Sequence, residues 1–364
     1  MAAPTRWGIA SAGLICHDFS NALSIYPDQH TVVAVAARSL DRAREFANRF
    51  GVKNAHGSYE ALAADPDVEV VYVGSINTEH VKLCKMMLAA GKHVLCEKPL
   101  GLNVRETKEI VEAAKKNKVF LMEAIWSRFV PSYVKVREDI ERGVIGDVLH
   151  SEALFAVPID KVDRILNKEK GGGSVLDIGI YCVNWAQFVH GSKKPKKVIT
   201  QKIVIEILST NHFLSQLHPS LFHDKVVANG HLFPSGTDSC MGAVITYEDG
   251  GIATVATNTH MKALSAKAQV HGTKGSITMH FPFWCANKIT TPEGDHEFDV
   301  PKAKLDFNFD NSAYLAQEAH HVRECLAKGL TESPILPTDE SIMIAEILET
   351  IRKQIGADFP QDLL

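Results

Sequence analysis

Over residues 1–125 the chain alternates short apolar runs with helix-patterned stretches, and this alternation leaves few folds open. Residues 7–10, 31–37, 68–73, 93–96 and 119–123 read as strands, most of them rich in β-branched or small apolar side chains. Between them, Ser39 precedes a stretch with Ala43, Phe46, Ala47 and Phe50 on one helical face, stopped by Gly51. A second helix runs over 78–90, with Leu83 and Met87 inward and Gly91 as its stop. Asn103 opens a third, with Glu106 at the capping-box position. Repeated strand-helix units require parallel strands and right-handed crossovers, so the expectation is an α/β, doubly wound Rossmann sheet.

The first turn of such a sheet is where a dinucleotide would sit. Its full fingerprint is G-x-G-x-x-G/A. Here Ser11, Gly13 and Cys16 occupy the three positions, so only the middle glycine is kept. Ser11 and Cys16 are small enough for a tight turn, and a helix opening there offers free N–H groups to a phosphate. Ser11, Gly13, Leu14 and Ile15 are therefore the expected pyrophosphate residues. An NAD site ends the second strand in an acid that holds the ribose 2′-hydroxyl. This chain has Arg38 and Ser39 there, with Arg42 one turn on, which suits a 2′-phosphate and points to NADP.

Just past the run 94–96 stands Glu97-Lys98-Pro99. In an open α/β sheet the C-terminal tips of the strands are where ligands bind. Proline ends the strand and fixes the turn, so Lys98 is held in place, with Glu97 beside it.

After Trp126 the pattern changes. A helix over 131–142 leads into a strand over 148–157, then Gly171-Gly172-Gly173 and an apolar helix. Asp177 and Tyr181 lie four apart on that helix and share a face. Trp185 and Phe188 continue an aromatic stripe that reads equally as core. Strands at 242–247, 252–259, 266–271 and 276–280 follow, with turn signals at Asp249-Gly250-Gly251 and Thr273-Lys274-Gly275. Helices over 312–327 and 338–355 close the chain. The expected organisation is a Rossmann domain, 1–125, and an α+β domain, 126–364, with a large, mostly antiparallel sheet.

A formal charge of −4 argues against a nucleic-acid partner, and the lysines of 193–197 read as a solvated loop. No run of ~18 apolar residues suggests a membrane span. The N-terminus lacks the apolar core of a signal peptide. Seven cysteines without CxxC pairs read as reduced thiols in a cytoplasmic protein. His212, His218 and His223 lack metal-ligand spacing, and Glu318 and His321 form a lone Glu-x-x-His that reads as ordinary helix. No metal is expected.

Together, Glu97-Lys98-Pro99, the degenerate glycine turn and the stretch 172–181 resemble the glucose-fructose oxidoreductase family. The runs 94–100, 120–126, 321–325 and 359–362 support the likeness. The resemblance implies a Rossmann domain joined to a sheet domain, with the C-terminal sheets meeting in a homodimer. It implies Lys98 and Tyr181 as the catalytic pair, with His80 and Asp177 nearby, and Trp126 and Phe155 lining an apolar substrate pocket. Most of the family carries histidine where Tyr181 stands. The tyrosine suggests the subgroup that uses NADP to oxidise trans-dihydrodiols to catechols, and aldopentoses such as D-xylose to a lactone. Another sugar or inositol dehydrogenase or reductase, or a non-catalytic NADP(H)-binding regulator, are the alternatives. In this scheme Tyr181 is the general base and the Lys98 ammonium lowers its pKa. One departure is a segment at about 203–229 without a family counterpart, opening with a strand-like run, 203–208.

Overall fold

The computed structural model describes residues 3–195, 226–262 and 266–363. Its first sheet contains β1 (Thr5–Ala10), β2 (His30–Ala36), β3 (Asn54–His56), β4 (Val70–Val73), β5 (His93–Glu97) and β6 (Leu121–Ala124). All are parallel, in the order β3-β2-β1-β4-β5-β6, that of dinucleotide-binding sheets with a switch point between β1 and β4. The connecting helices are α1 (Leu14–Leu23), α2 (Leu40–Phe50), α3 (Tyr59–Ala64), α4 (His80–Ala89) and α5 (Val104–Asn117). Gly51 ends α2 at φ +67°, and Asn103 Oδ1 accepts the Glu106 N–H at 2.9 Å at the start of α5. Glu106 returns the bond one residue earlier than a capping box does, to the Leu102 N–H at 3.0 Å. β3 and α3 were not expected from the sequence, because three and six residues are too few to show a period.

After α6 (Pro131–Glu141), the chain builds a second sheet from β7 (Val148–Ala156), β8 (Val226–Leu232), β9 (Asp238–Thr246), β10 (Ile252–Asn258), β11 (Ala268–Gly272), β12 (Ser276–Met279), β13 (Lys288–Thr291) and β14 (Gly294–Glu297). Their order is β14-β13-β12-β11-β7-β10-β9-β8. β7 and β10 pair in parallel; the other neighbours are antiparallel. The strand-like run 203–208 and the three histidines lie outside the described residues. Val226 to Asn229, expected within an insertion, belong instead to β8, which pairs with β9 from Val226↔Ile245 onward.

Between β7 and β8 lie α7 (Asp163–Leu166) and a helix that begins as a π turn, Val175–Gly179, and continues as α8 (Ile180–Val189). Alternation along the strands buries Met241, Ala243, Ile245, Ala253 and Val255 on the side of that helix. The opposite side leaves Val227, Val244 and Ile252 40–45% exposed.

The last helices, α9 (Leu315–Ala327) and α10 (Thr338–Ile355), do not stay with the second sheet. α9 packs on α1, and α10 packs on α5 as well as on β8. Arg352, fully buried, binds the Leu102 carbonyl at 3.1 Å and the Asp362 carboxylate at 2.8 and 3.1 Å. Asp362 in turn accepts from Asn103 Nδ2 at 3.0 Å. Burial opposes its ionisation, but these bonds outweigh burial and hold its pKa down at about 2. Among the described residues no helix is long and apolar enough to cross a membrane.

Candidate functional site

β5 ends at Glu97, and the following turn is tied down residue by residue. The Lys98-Pro99 peptide is cis. His80 Nδ1 lies 2.8 Å from the Pro99 carbonyl and its Nε2 lies 3.3 Å from the Ser75 carbonyl. Carbonyls only accept, and burial lowers the pKa of His80, so a neutral ring gives its one proton to the nearer Pro99. The Leu100 N–H donates to Glu123 Oε1 at 2.8 Å. His80 thus supports the site through the turn: its two bonds go to the Pro99 and Ser75 carbonyls, and it lies close enough to Lys98 for that charge to add to the lowering of its pKa.

Lys98 projects from this turn onto the Val175–Gly179 π turn. Its Nζ donates to the Asp177 main-chain carbonyl at 2.6 Å, lies 3.5 Å from Asp177 Oδ1, and stands 4.9 Å from the centre of the Tyr181 ring. Arg164, on α7, closes the other side of Asp177 with Nη1 to Oδ1 at 2.6 Å and Nη2 to Oδ2 at 3.3 Å. Burial pushes the Asp177 pKa up, yet Lys98 and Arg164 outweigh it and hold the carboxyl below its ordinary value. Asp177 is an ionised anchor between two cations.

Tyr181 is 8% exposed. Its hydroxyl accepts a hydrogen bond from Trp126 Nε1 at 2.9 Å. Burial first, and then the Glu97 charge, push the phenol pKa well above its ordinary value, against the Trp126 bond. The expected lowering by Lys98 is therefore not what this arrangement produces: the ammonium lies toward the ring, with its bonds directed at Asp177. Glu97 is itself buried and bonded to the Tyr72 hydroxyl; burial raises its pKa, while Lys98 and Tyr72 pull it down.

Trp126 and Phe155 come together with Tyr181 as expected. Phe155 lies 5.8 Å from the Tyr181 ring and stacks at 3.8 Å and 12° on Trp284. Trp185 and Phe188 pack with Tyr133 in the core instead. The sequence reading missed Arg164 and Trp284, each on a helical turn of three or four residues, too short to show a period; the aromatic run 281–284 was the signal for the second.

At the tip of β1, Ser11 has φ +108°, a backbone region that suits glycine. A Cβ built on Gly13 would meet only Ser11 Oγ at 3.7 Å and the Gly74 carbonyl at 3.8 Å, so its bare backbone leaves room above α1 for a phosphate. Cys16 is buried against Gly74, whose own Cβ would stand 2.4 Å from the Cys16 sulfur. The close approach that a third fingerprint glycine provides is supplied from the opposite side, by Gly74. Leu14 is 62% exposed and Ile15 partly buried. At the tip of β2, Arg38, Ser39 and Arg42 are exposed; the Ser39 hydroxyl caps nothing, and Arg42 reaches the Ala12 carbonyl at 3.4 Å. These residues fit a phosphorylated dinucleotide: a bare cradle at a helix start, with two guanidiniums at the neighbouring tip.

Comparison with known proteins agrees with this layout. Residues 5–125 match the model of the oxidoreductase family with an NAD-binding Rossmann fold, and residues 133–278 match the GFO/IDH/MocA C-terminal domain. The trans-1,2-dihydrobenzene-1,2-diol dehydrogenase of Homo sapiens is 41% identical over 359 residues, covering 98% of each chain. The fold is shared with a levoglucosan dehydrogenase solved with NADH and levoglucosan, at a TM-score of 0.76, 20% identity and coverage of 96% of this chain and 97% of that one. It is shared too with a 3-ketoreductase from Actinomadura kijaniata solved with NADP, at a TM-score of 0.74, 21% identity and coverage of 97% and 98%. The chain belongs to the GFO/IDH/MocA oxidoreductase family.

Proposed function

We propose that this chain oxidises vicinal diols with NADP, taking trans-dihydrodiols to catechols and aldopentoses such as D-xylose to a lactone. The observation that carries the reading is the convergence of Lys98, Asp177 and Tyr181 beside the wall of Trp126, Phe155 and Trp284. Likeness over the full length to a dihydrodiol dehydrogenase supports the substrate class.

NADP, when bound, supplies the acceptor for the carbinol hydride. Ser11, Gly13, Leu14 and Ile15 would hold its pyrophosphate, Arg38, Ser39 and Arg42 its 2′-phosphate, and Glu97 and Lys98 its nicotinamide end. The chain's own task is the hydroxyl proton. Tyr181 accepts from Trp126, so its own O–H is directed elsewhere and exchanges a proton with the substrate oxygen. The raised pKa keeps the phenol protonated at neutral pH. It is therefore a ready proton donor in the reductive direction, whereas oxidation needs the phenolate and gains as pH rises. Lys98 has three donors and places two on Asp177, leaving one for a substrate or ribose hydroxyl. The aromatic wall excludes water from one side of a flat or puckered ring.

The open face of the second sheet, with Val227, Val244 and Ile252 exposed, supports a homodimer formed sheet to sheet. Val244→Glu is expected to give a monomer in sedimentation analysis; an unchanged oligomeric state removes that interface.

The activity is tested by following NADPH absorbance with a panel of trans-dihydrodiols, D-xylose and myo-inositol. Turnover of the diols is expected. Turnover of inositol alone reassigns the substrate, and no turnover with any of them favours a regulator.

A further inference from the structure

We propose that Asp238 is a positioning residue for Asp177 and Tyr181, acting from the second sheet on the start of the helix that carries both. The kinetic side of this proposal rests on the dehydrogenase reading above; its structural side does not.

Asp238 is the first residue of β9 and is fully buried. Its Oδ2 accepts the Ser174 hydroxyl at 2.6 Å and the Val175 N–H at 2.7 Å. The Ser174 hydroxyl also lies 2.7 Å from Thr257 Oγ1 on β10. The first N–H groups of a helix lack partners within it and are usually capped by the residue just before. Here that residue, Ser174, already has helical torsions (φ −72°, ψ −33°) and makes no side-chain cap. The cap comes instead from a strand 63 residues further along.

Gly173 shows how closely the chain is fitted to this carboxylate. Its φ is +108°, and a Cβ there would stand 2.2 Å from Asp238 Oδ1. That oxygen makes no hydrogen bond among the described residues. Burying a carboxyl with one oxygen unpaired is costly, and helices are ordinarily capped locally without that cost. What the distant cap adds is a fixed register between sheet and helix.

That register matters over the next two turns. The Val175–Gly179 segment is a π turn, wider than an α turn, and π turns are frequent at functional sites. Within it the Asp177 carbonyl receives Lys98 Nζ at 2.6 Å. Four residues on stands Tyr181. A shift of the helix start moves both groups relative to Lys98, which is fixed independently on the first sheet.

Four variants of the full chain test this. In Asp238→Ala, kcat for the diol or xylose is expected to fall about 100-fold, the cost of a misplacement near 1 Å, with the Kd for NADP unchanged. Asp238→Asn keeps an acceptor at the same place and should recover most of the rate. Gly173→Ala pushes from the other side and should lower kcat in the same sense. Ser174→Ala removes the hydroxyl's contacts to Asp238 and Thr257 but keeps the bond from the Val175 N–H, and should give a smaller drop, which keeps the test alive if Asp238→Ala does not fold. Crystal structures of Asp238→Asn and of Asp238→Ala, or Ser174→Ala in its place, decide the structural half: the contact from Lys98 Nζ to the Asp177 carbonyl should persist in the first and lengthen in the others. The proposal is overturned if Asp238→Ala or Ser174→Ala melts earlier but keeps full kcat, or if the contact is unchanged in the crystals of the alanine variants. If the wild-type chain turns over none of the substrates, the dehydrogenase reading fails, and the crystallographic comparison still decides this one.

Discussion

The tips of β5 and β2 lie at the same edge of the parallel sheet and are built in opposite ways. At β5 the turn carrying Lys98 is held by His80 and Glu123, and by Glu106 and Arg352 at Leu102. Its target, Asp177, lies between two cations. At β2, Arg38, Ser39 and Arg42 stand in solvent, and the one contact described for Arg42 is a 3.4 Å bond to Ala12. The first tip stores geometry in buried hydrogen bonds. The second presents charge on flexible side chains. Substitutions at the first should therefore act on rate, and at the second on affinity and its salt dependence.

The sharpest way to break this contrast is Tyr181→Phe. It removes the proton-exchanging group and should lower kcat by at least ~100-fold with NADP affinity intact, checked by steady-state kinetics and titration calorimetry. In the wild type, the raised phenol pKa predicts oxidation that climbs into the alkaline range, while reduction stays flat through neutrality and falls only at high pH. An oxidation profile that levels off below neutrality contradicts Tyr181 as the base.

Next comes Arg38→Asp. Losing charge-assisted bonds to a phosphate costs roughly 1.5–3 kcal/mol, so KM for NADP should rise about 10-fold to 100-fold while that for NAD changes little. Raising the salt concentration should weaken NADP in the wild type more than in the variant. Equal effects on both nucleotides would remove the 2′-phosphate assignment.

A smaller effect is expected under the first tip. Burial raises the Glu123 pKa from 4.5 to about 7. The folded state thus favours the protonated acid. Its stabilisation is full below the unfolded pKa and is lost as pH climbs through the folded value. Glu123→Gln stays neutral throughout, so between about pH 4 and about pH 8 its stability relative to wild type should improve by roughly 3 kcal/mol in denaturant titrations. A pH-independent difference would show that Glu123 is ionised in the fold.

The smallest effect belongs to Ser11→Gly. Relief of the φ +108° backbone should raise stability by about 1 kcal/mol, after the entropy a glycine adds to the unfolded chain. A lower melting temperature would show that the serine hydroxyl matters more than the torsion.

The strand-helix alternation was legible because periodicity is local. The Lys98 turn and the Asp177–Tyr181 pair were legible because a strand tip and an i,i+4 spacing define directions. Arg164 and Trp284 were not, since their segments have no period. Asp238 and Glu318 were hidden for another reason: burial of a polar residue appears only when the chain is assembled. Glu318, which read as ordinary helix, is fully buried with neither carboxyl oxygen bonded among the described residues. The ionisation of Tyr181 was misjudged on the same ground. From sequence one cation stood near a phenol; in the structure, desolvation and Glu97 decide.

The return of α9 and α10 to the first sheet has a consequence for how the molecule is made. The nucleotide-binding half leaves the ribosome first, and domains usually fold as they emerge. Here the outer side of α1 stays uncovered until α9 arrives, and the loop at Leu102 lacks its Arg352 and Asp362 clamp until those residues are synthesised. The Lys98 turn, three residues upstream of that loop, reaches its working shape only when the tail docks. Assembly of the candidate site thereby waits on α10 and Asp362, far downstream of the sheet that carries Lys98.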